Sequence, residues 1–264
     1  MTSLQRWLTI PAFDLPEGVK EEALRVLAHE GSPDVERRIA AELLGDMSLV
    51  DDEVVELLLT ILDRGDFSDE LRCQAALALG PVLEAVDIDG FDAFEPPPIS
   101  EGIFRRIQAA LEKHYADNAI PKIVRRRVLE ASVRAPREWH RQAIAAAYAR
   151  RDRDWKVTAV FAARWVDGLE AMILEALESE DDEIRYQAVC AAGNWGIEAA
   201  WPQVSPILDL EQVERRLLLA AIEAVASIRP EAAVEVLGDL VTSDDEEIAD
   251  AAQEAIMLSD GDLV

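Results

Sequence analysis

The sequence predicts an all-α fold, a right-handed α-solenoid (alpha-alpha superhelix) of about seven stacked helix pairs. Three observations support this prediction. Ala, Leu and Glu, which favour helices, are abundant, whereas the 264 residues include only 12 Gly and 12 Pro. An arginine followed by small residues at fixed spacing recurs along the chain. Most recurrences are 29 to 35 residues apart, which is a period typical of solenoid repeats.

The recurring pattern is clearest in "DDEIRYQAVCAAGNWG", residues 181–196. When its arginine, Arg185, is taken as position zero, an alanine follows at plus three and a glycine at plus eight. Arg37 and Arg72 begin segments with the same two small residues at the same spacing. Looser copies place position zero at Arg125, Lys156, Arg215 and Ala249.

This spacing has a physical reading in terms of two packed helices. Small residues at plus three and plus six lie on one helix face and let a neighbouring helix approach closely, so we expect Ala75, Ala78, Ala159 and Ala188 to be buried. Acids before position zero fall in the first helical turn, where the helix dipole favours them. Ser32-Pro33, Ser68, Ser179 and Ser243 stand where an N-cap belongs. Ser243 with Glu246 has the capping-box spacing.

The helices follow one another in pairs along a single predicted domain, residues 1–264. Residues 1–16 form an N-terminal cap segment. Five segments of similar length precede the first five motif helices: "EGVKEEALRVLAH", "DDEVVELLLTILD", "EGIFRRIQAALEKHY", "EWHRQAIAAAYAR" and "GLEAMILEALES". The last two motif helices contain Arg215 and Ala249. Because no pair can bury its apolar face alone, stacking of the pairs builds the core.

One interval between motifs is longer than the others and contains "VDIDGFDAFEPPPIS", residues 86–100. Three consecutive prolines and several acids predict a loop insertion that is dispensable for folding. Loops of this length are often functional; a tolerated surface insertion is the alternative. "DIDGFD" lacks the ligand alternation and final glutamate of a calcium loop, so no metal is predicted there.

Three acid–arginine pairs, Asp34-x-x-Arg37, Asp69-x-x-Arg72 and Asp182-x-x-Arg185, resemble the HEAT family, and within it the short HEAT-like repeats of phycobilisome lyases. The resemblance covers roughly residues 17 to 258. It implies that the arginine-bearing second helix of each pair lines the concave side. It also implies an acid–arginine ladder between neighbouring repeats, made of Asp34, Arg37, Asp69, Arg72, Arg125, Asp182, Arg185 and Arg215.

Charge is distributed unevenly in this acidic chain, whose formal net charge is −27. A uniformly acidic surface would exclude nucleic acid, because phosphate contacts need Lys and Arg; it would also suit a chain kept soluble in high salt. However, residues 105–164, the basic belt, hold 15 of the 26 basic residues and 6 of the 53 acids. The candidate binding surface on this belt comprises Arg126, Arg127, Arg134, Arg137, Trp139, Arg141, Arg150, Arg151, Arg153 and Trp155.

The belt has two interpretations. It binds an acidic protein or a polyanion, with Arg126 and Arg127 projecting outward and Trp139 or Trp155 exposed for stacking. Alternatively, its arginines pair with acids of the chain itself, among them the acids of the 86–100 loop. The tryptophans are then packing residues at the seams between repeats.

No constellation of catalytic groups is visible. The three histidines stand alone, and the single His-Glu pair, His29-Glu30, cannot provide the iron site that deoxyhypusine hydroxylases build from several such pairs. Cys73 and Cys190 occupy small-residue positions typical of packing. We therefore predict no catalytic residues, no metal and no cofactor. Two cysteines, no secretory signal and no apolar run long enough to span a membrane indicate a cytoplasmic protein.

The sequence thus favours a non-catalytic HEAT-repeat scaffold that binds a protein partner through its concave surface. The first alternative is binding or processing of an anionic ligand, such as nucleic acid, at the basic belt. The second alternative is a tetrapyrrole lyase-like chaperone, which only the family resemblance suggests.

Overall fold

The computed structural model describes residues 3–11, 14–92, 97–209 and 213–259. Every regular element within these ranges is a helix, so the all-α class predicted from composition is confirmed. The chain divides into two compact units, Met1–Arg137 and Glu138–Val264. The expectation of one domain over residues 1–264 and of a right-handed superhelix stays a prediction.

The first unit contains three helix pairs and two additional helices. Its helices are α1 (Ser3–Trp7), α2 (Val19–Ala28), α3 (Asp34–Leu44), α4 (Asp52–Asp63), α5 (Asp69–Ala78), α6 (Gly80–Asp89), α7 (Glu101–Ala116) and α8 (Lys122–Ser132). The pairs are α2/α3, α4/α5 and α7/α8, and the second helices pack in series, α3 on α5 and α5 on α8. In the predicted cap segment, α1 packs on α3 and buries Leu4.

The second unit contains four pairs. Its helices are α9 (Glu138–Tyr148), α10 (Arg153–Ala162), α11 (Glu170–Leu177), α12 (Asp182–Asn194), α13 (Trp201–Val204), α14 (Arg215–Ile228), α15 (Pro230–Leu237) and α16 (Glu246–Ser259). The first helix of the third pair is short, because α13 is flanked by the 3₁₀ turns Glu198–Ala200 and Ser205–Asp209. The second helices α10, α12, α14 and α16 again pack in series. The described residues therefore form seven pairs, as predicted.

Small residues of the motif lie at the contacts between second helices. Ala75, Ala159 and Ala188, each three residues after position zero, are completely buried, and Ala78 is 5% exposed. These alanines bring adjacent helices close together, so the burial predicted from the spacing is confirmed.

The predicted insertion is only partly a loop. Residues 86–89 are the last turn of α6, because Val82, Leu83 and Val86 form an apolar face that packs on α8. At the other end of the insertion Ile99 is 3% exposed, within the core of the first unit. Residues 93–96 lie outside the described part of the chain. The prediction of a surface loop over all of 86–100 is therefore wrong at both ends.

Three of the four predicted N-caps are displaced. At α3 the N-cap is Pro33 instead of Ser32 and provides no side-chain hydrogen bond, and at α12 and α16 the cap lies two residues later than predicted. Ser68 caps α5, and its hydroxyl accepts a hydrogen bond from the Leu71 amide at 3.1 Å. By contrast, Asp181 caps α12, while the Ser179 hydroxyl accepts a bond from the Asp181 amide. Ser243 and Asp245 repeat this arrangement at α16, so the predicted capping box is wrong. The carboxylate prevails because it accepts from two amides of the first turn.

Candidate functional site

The position-zero arginines of the first unit join the two helices of their own pair. Arg37 Nε donates to the Leu27 carbonyl oxygen at 3.0 Å, and Arg72 Nε donates to the Leu62 oxygen at 3.1 Å. Each acceptor lies ten residues earlier, in the last turn of the preceding helix. Arg125 makes the same bond to Tyr115 at 2.8 Å. Carbonyls in a last helical turn lack partners within the helix, and a guanidinium also complements the negative end of the helix dipole.

The acids of the predicted ladder mostly stay within their own helix. Asp69 lies 3.6 Å from Arg72, and Asp182 lies 3.0 Å from Arg185, because residues three apart share one helix face. Asp34 does reach the next repeat, where it accepts a hydrogen bond from Ser68 at 2.6 Å. The predicted ladder through Asp69 and Asp182 is therefore wrong.

A ladder between repeats exists, but it uses mostly other residues. Each rung joins a basic residue to an acid of a neighbouring repeat or of α6. The rungs are Lys20–Asp51, Arg64–Glu30, Arg106–Glu56, Lys113–Asp63 and Arg134–Glu84 in the first unit, and Arg153–Asp181, Arg216–Glu183 and Arg215–Asp245 in the second. Of the predicted ladder arginines, Arg215 is one of these rungs. The hydrogen bond from Arg153 holds the pKa of Asp181 below its ordinary value.

In the first unit, belt arginines contact acids. Arg126 and Arg127 are half-buried, and Arg127 pairs with the buried Glu130 of its own helix. Outward projection of Arg126 stays a prediction. Arg134 pairs with Glu84 of α6, and Arg137 Nη1 lies 3.4 Å from a carboxylate oxygen of Glu112. The guanidinium charges are therefore partly neutralised within the unit.

In the second unit, the predicted stacking platform is absent at Trp155. Its side chain is 2% exposed, with the Arg150 guanidinium 4.7 Å from its ring centroid. The stacking interpretation of Trp155, and with it the place of Trp155 on the candidate binding surface, is therefore wrong, and the alternative of a packing residue is confirmed for Trp155. Trp139 is half-buried and packs against the buried ring of His140, with the two ring centroids 3.8 Å apart. Arg151 is exposed.

Two other arginines of the belt in this unit, Arg141 and Arg153, make ion pairs with acids that directly precede the helices α11 and α12. Arg141 Nη2 lies 2.5 Å from Asp167, and Arg153 pairs with Asp181, the N-cap residue of α12. This pairing disfavours a polyanion site on the belt.

A surface that the sequence did not single out runs along the second helices of the second unit. We call this surface the second-helix groove; it consists of four cavities along α12, α14 and α16. Two cavities, of about 560 and 510 Å³, lie at α12 and α14 beside Tyr186. Two more, of about 630 and 500 Å³, lie at α14 and α16 beside Ala251. Glu223 lines all four cavities, so they form one extended surface.

The two ends of the groove differ in charge. At α12, Tyr186 lies between two arginines, with the Arg216 guanidinium 3.6 Å and the Arg164 guanidinium 5.7 Å from its ring centroid. Toward α16 the lining is predominantly acidic, since six acids and one cation, Arg215, line the cavity of about 630 Å³. The sequence holds no Lys, Arg or His after Arg229. A count of charge per repeat would have found this end from sequence, whereas the position of Glu223 in the groove needs the helix packing.

Groups that could support catalysis are dispersed or unreactive. In the described part of the chain, no three His, Cys, Asp or Glu side chains come together as a metal site. His114 is buried, with Nε2 3.2 Å from Asp63 Oδ1. Burial raises the pKa of the Cys73 thiol to about 11 and also raises that of Cys190, so both thiols are poor nucleophiles at neutral pH. Within the same residues, no helix is both long and apolar enough to cross a membrane.

Comparison with known proteins gives matches to a family model and to solved structures. None of the curated proteins compared matches the chain significantly. The chain is similar to YibA of E. coli (TM-score 0.48, 16% identity, 93% of this chain and 84% of that one). It is similar to human deoxyhypusine hydroxylase (TM-score 0.41, 15% identity, 98% and 95%) and to a chain in the structure of Kap95p with RanGDP (TM-score 0.43, 16% identity, 90% and 41%).

These structural likenesses are distant and say nothing about activity or partners. The family comparison is more specific, because residues 169–257 match a model described as HEAT repeats. That stretch includes α11 to α15 and most of α16, and so the whole second-helix groove apart from Arg164 and the end of α16. Residues 169–257 are therefore HEAT repeats, and the family recognised from the acid–arginine motifs is confirmed there.

Proposed function

We propose that this protein is a non-catalytic HEAT-repeat scaffold that binds a partner protein in the second-helix groove. The observation that carries the proposal is the continuity of the groove across three successive second helices, with Glu223 common to all its cavities. An extended surface of this kind suits a polypeptide, whereas a small-molecule site is usually one enclosed pocket with a few convergent polar groups.

The composition of the groove also supports a protein partner. Tyr186 and Leu219 are half-buried, and Leu258 is 61% exposed. Aromatic and aliphatic side chains surrounded by charged ones are typical of protein interfaces. The polyanion alternative is weakened by the ion pairs of Arg134, Arg141 and Arg153. Free cysteines at positions 73 and 190 support a reducing compartment such as the cytoplasm.

A capture experiment with a matched pair of variants tests this proposal. Ala251→Arg places a long cation in the groove, where Ala251 lines both cavities at α16. Ala145→Arg makes the same change at an exposed position of α9. Tagged proteins capture partners from a lysate of the source cells, and quantitative mass spectrometry compares them. We expect Ala145→Arg to retain the partners of the unmodified chain and Ala251→Arg to lose them.

Circular dichroism and thermal melting establish that both variants are folded. Two outcomes contradict the proposal: capture that is unaffected by Ala251→Arg, and capture of no protein above the background of an unrelated bait.

A further inference from the structure

We infer that the α14–α16 part of the groove binds a cationic amphipathic helix of a partner protein. The inference rests on the proposed function and goes beyond it by assigning the partner's chemistry and the position where it binds. Three features of the groove carry it: two facing helical stripes, an apolar wall with exposed side chains, and three acids that form no ion pair with the described residues.

The stripes have the length and spacing of a helix-binding groove. On α16, Glu247, Ala251, Glu254 and Leu258 follow one another at intervals of three or four residues. Asp250 lies three residues after Glu247 and four before Glu254, so it shares the same face. This face extends for three turns, about 16 Å at the 1.5 Å rise of an α-helix. On α14, Leu219, Glu223 and Ala226 form the facing stripe. A groove of this length accommodates about three turns of a partner helix, with anchors at i, i+4 and i+7.

The wall of the groove leaves space for apolar anchors. Ala226, Ala251 and Ala255 line a cavity of about 500 Å³ together with Pro230 and Leu258. Small side chains on both helices create this space, and Leu258 is 61% exposed at its edge. Leu- or Phe-sized side chains of a partner would cover this apolar surface, which water now contacts.

The acids of this groove are only partly neutralised. Arg215 lines the cavity of about 630 Å³ and pairs with Asp245 and Glu247. Among the residues that the structure describes, no ion pair is formed by the exposed Glu223, Asp250 and Glu254. The helices α15 and α16 supply no cation to these three acids, since the sequence beyond Arg229 contains no Lys, Arg or His. Lys or Arg side chains on a partner would supply the missing counter-charge.

The same charges decide which class of partner fits. Nucleic acid and anionic membranes are repelled by an acidic groove. A small cation would satisfy the carboxylates but would leave the apolar wall exposed. A helix with one apolar stripe flanked by Lys or Arg satisfies both parts of the groove.

Fluorescence anisotropy with the full-length chain and designed peptides tests the inference. The probe is a labelled 18-residue helical peptide of Leu and Lys in an amphipathic pattern. A scrambled isomer of the same composition controls for charge alone, and a Leu/Glu peptide of the same pattern reverses the charge. We expect the amphipathic Leu/Lys peptide to bind at least about ten-fold more tightly than the scrambled isomer. We expect no binding of the Leu/Glu peptide.

Two double variants of equal net charge localise the binding. Glu223→Gln with Glu254→Gln neutralises the groove, whereas Glu231→Gln with Glu235→Gln neutralises two exposed acids of α15. We expect the groove variant to bind the Leu/Lys peptide at least about ten-fold more weakly and the α15 variant to bind it like the unmodified chain. All four positions are exposed, so both variants should fold.

The inference is overturned if the two double variants weaken binding equally, if the scrambled peptide binds as tightly as the amphipathic one, or if no peptide binds. Its failure is distinguishable from failure of the proposed function. If capture depends on Ala251 while no cationic peptide binds, the groove binds a protein of other chemistry, and the proposed function stands without this inference.

Discussion

A glycine at plus eight of the motif allows two repeats to come into backbone contact. A Cβ on Gly45 would lie 2.9 Å from the Ala78 Cα, and a Cβ on Gly193 would lie 2.8 Å from the Ala224 Cα. Real Cβ atoms do not approach backbone so closely, and the atoms they would meet cannot rotate away. The glycine is therefore required by packing between helices rather than by its own backbone conformation.

Gly193→Ala should destabilise the second unit. The added methyl group forces α12 and α14 apart, which we expect to cost about 1–3 kcal/mol, the usual range for overpacking. Gly102→Ala is the matched control, because a Cβ at Gly102 meets nothing within 4 Å. Urea unfolding followed by tryptophan fluorescence measures both. An unchanged midpoint for Gly193→Ala would show that α12 and α14 do not pack as described.

At the scale of the element, the helix pair carries two kinds of connection. Within a pair of the first unit, the position-zero arginine bonds to the end of the preceding helix, as Arg72 does to Leu62. Between pairs, small residues bring the second helices together, and exposed ion pairs such as Arg64–Glu30 connect neighbouring repeats. Exposed ion pairs contribute little stability, so burial of the apolar seams holds the pairs together.

The insertion after α5 belongs partly to these seams, and a matched pair of isoleucines tests this. Ile99→Ala removes a side chain that is 3% exposed and should cost about 2–5 kcal/mol. Ile88→Ala makes the same change at a side chain that is 75% exposed and should cost far less. Guanidinium unfolding compares the two variants. If both substitutions lowered the free energy of unfolding by the same small amount, Ile99 would not be part of the core, and the prediction of a surface loop would hold at that end of the insertion.

The helices could be predicted from the sequence because the patterns that mark each helix lie within a single short segment. Alanine at plus three identifies a buried face whatever the neighbouring repeat is, and Ala159 and Ala188 are buried accordingly. The rungs between repeats could not be predicted, since partners such as Arg134 and Glu84 are 50 residues apart. For Trp155 the sequence left packing and exposure both open, because an aromatic residue in the first turn of a helix is compatible with either.

For the whole molecule, the distribution of paired and unpaired charge matters more than the net charge of −27. In each unit, belt arginines are engaged by acids of the same unit, as Arg134 is by Glu84 and Arg153 by Asp181. The α16 end of the chain has acids and no cations. The prominent cationic segment of the sequence is therefore largely a structural feature, and the acidic groove is the proposed binding surface.

Hydrogen–deuterium exchange of the full-length chain, with and without the amphipathic Leu/Lys peptide, tests this central claim most directly. The method reports each helix separately and therefore locates the contact without any substitution. Our account predicts slower exchange in α14 and α16 and unchanged exchange in the belt helices α7 to α10. Slower exchange confined to α7–α10, with α14 and α16 unchanged, would contradict it.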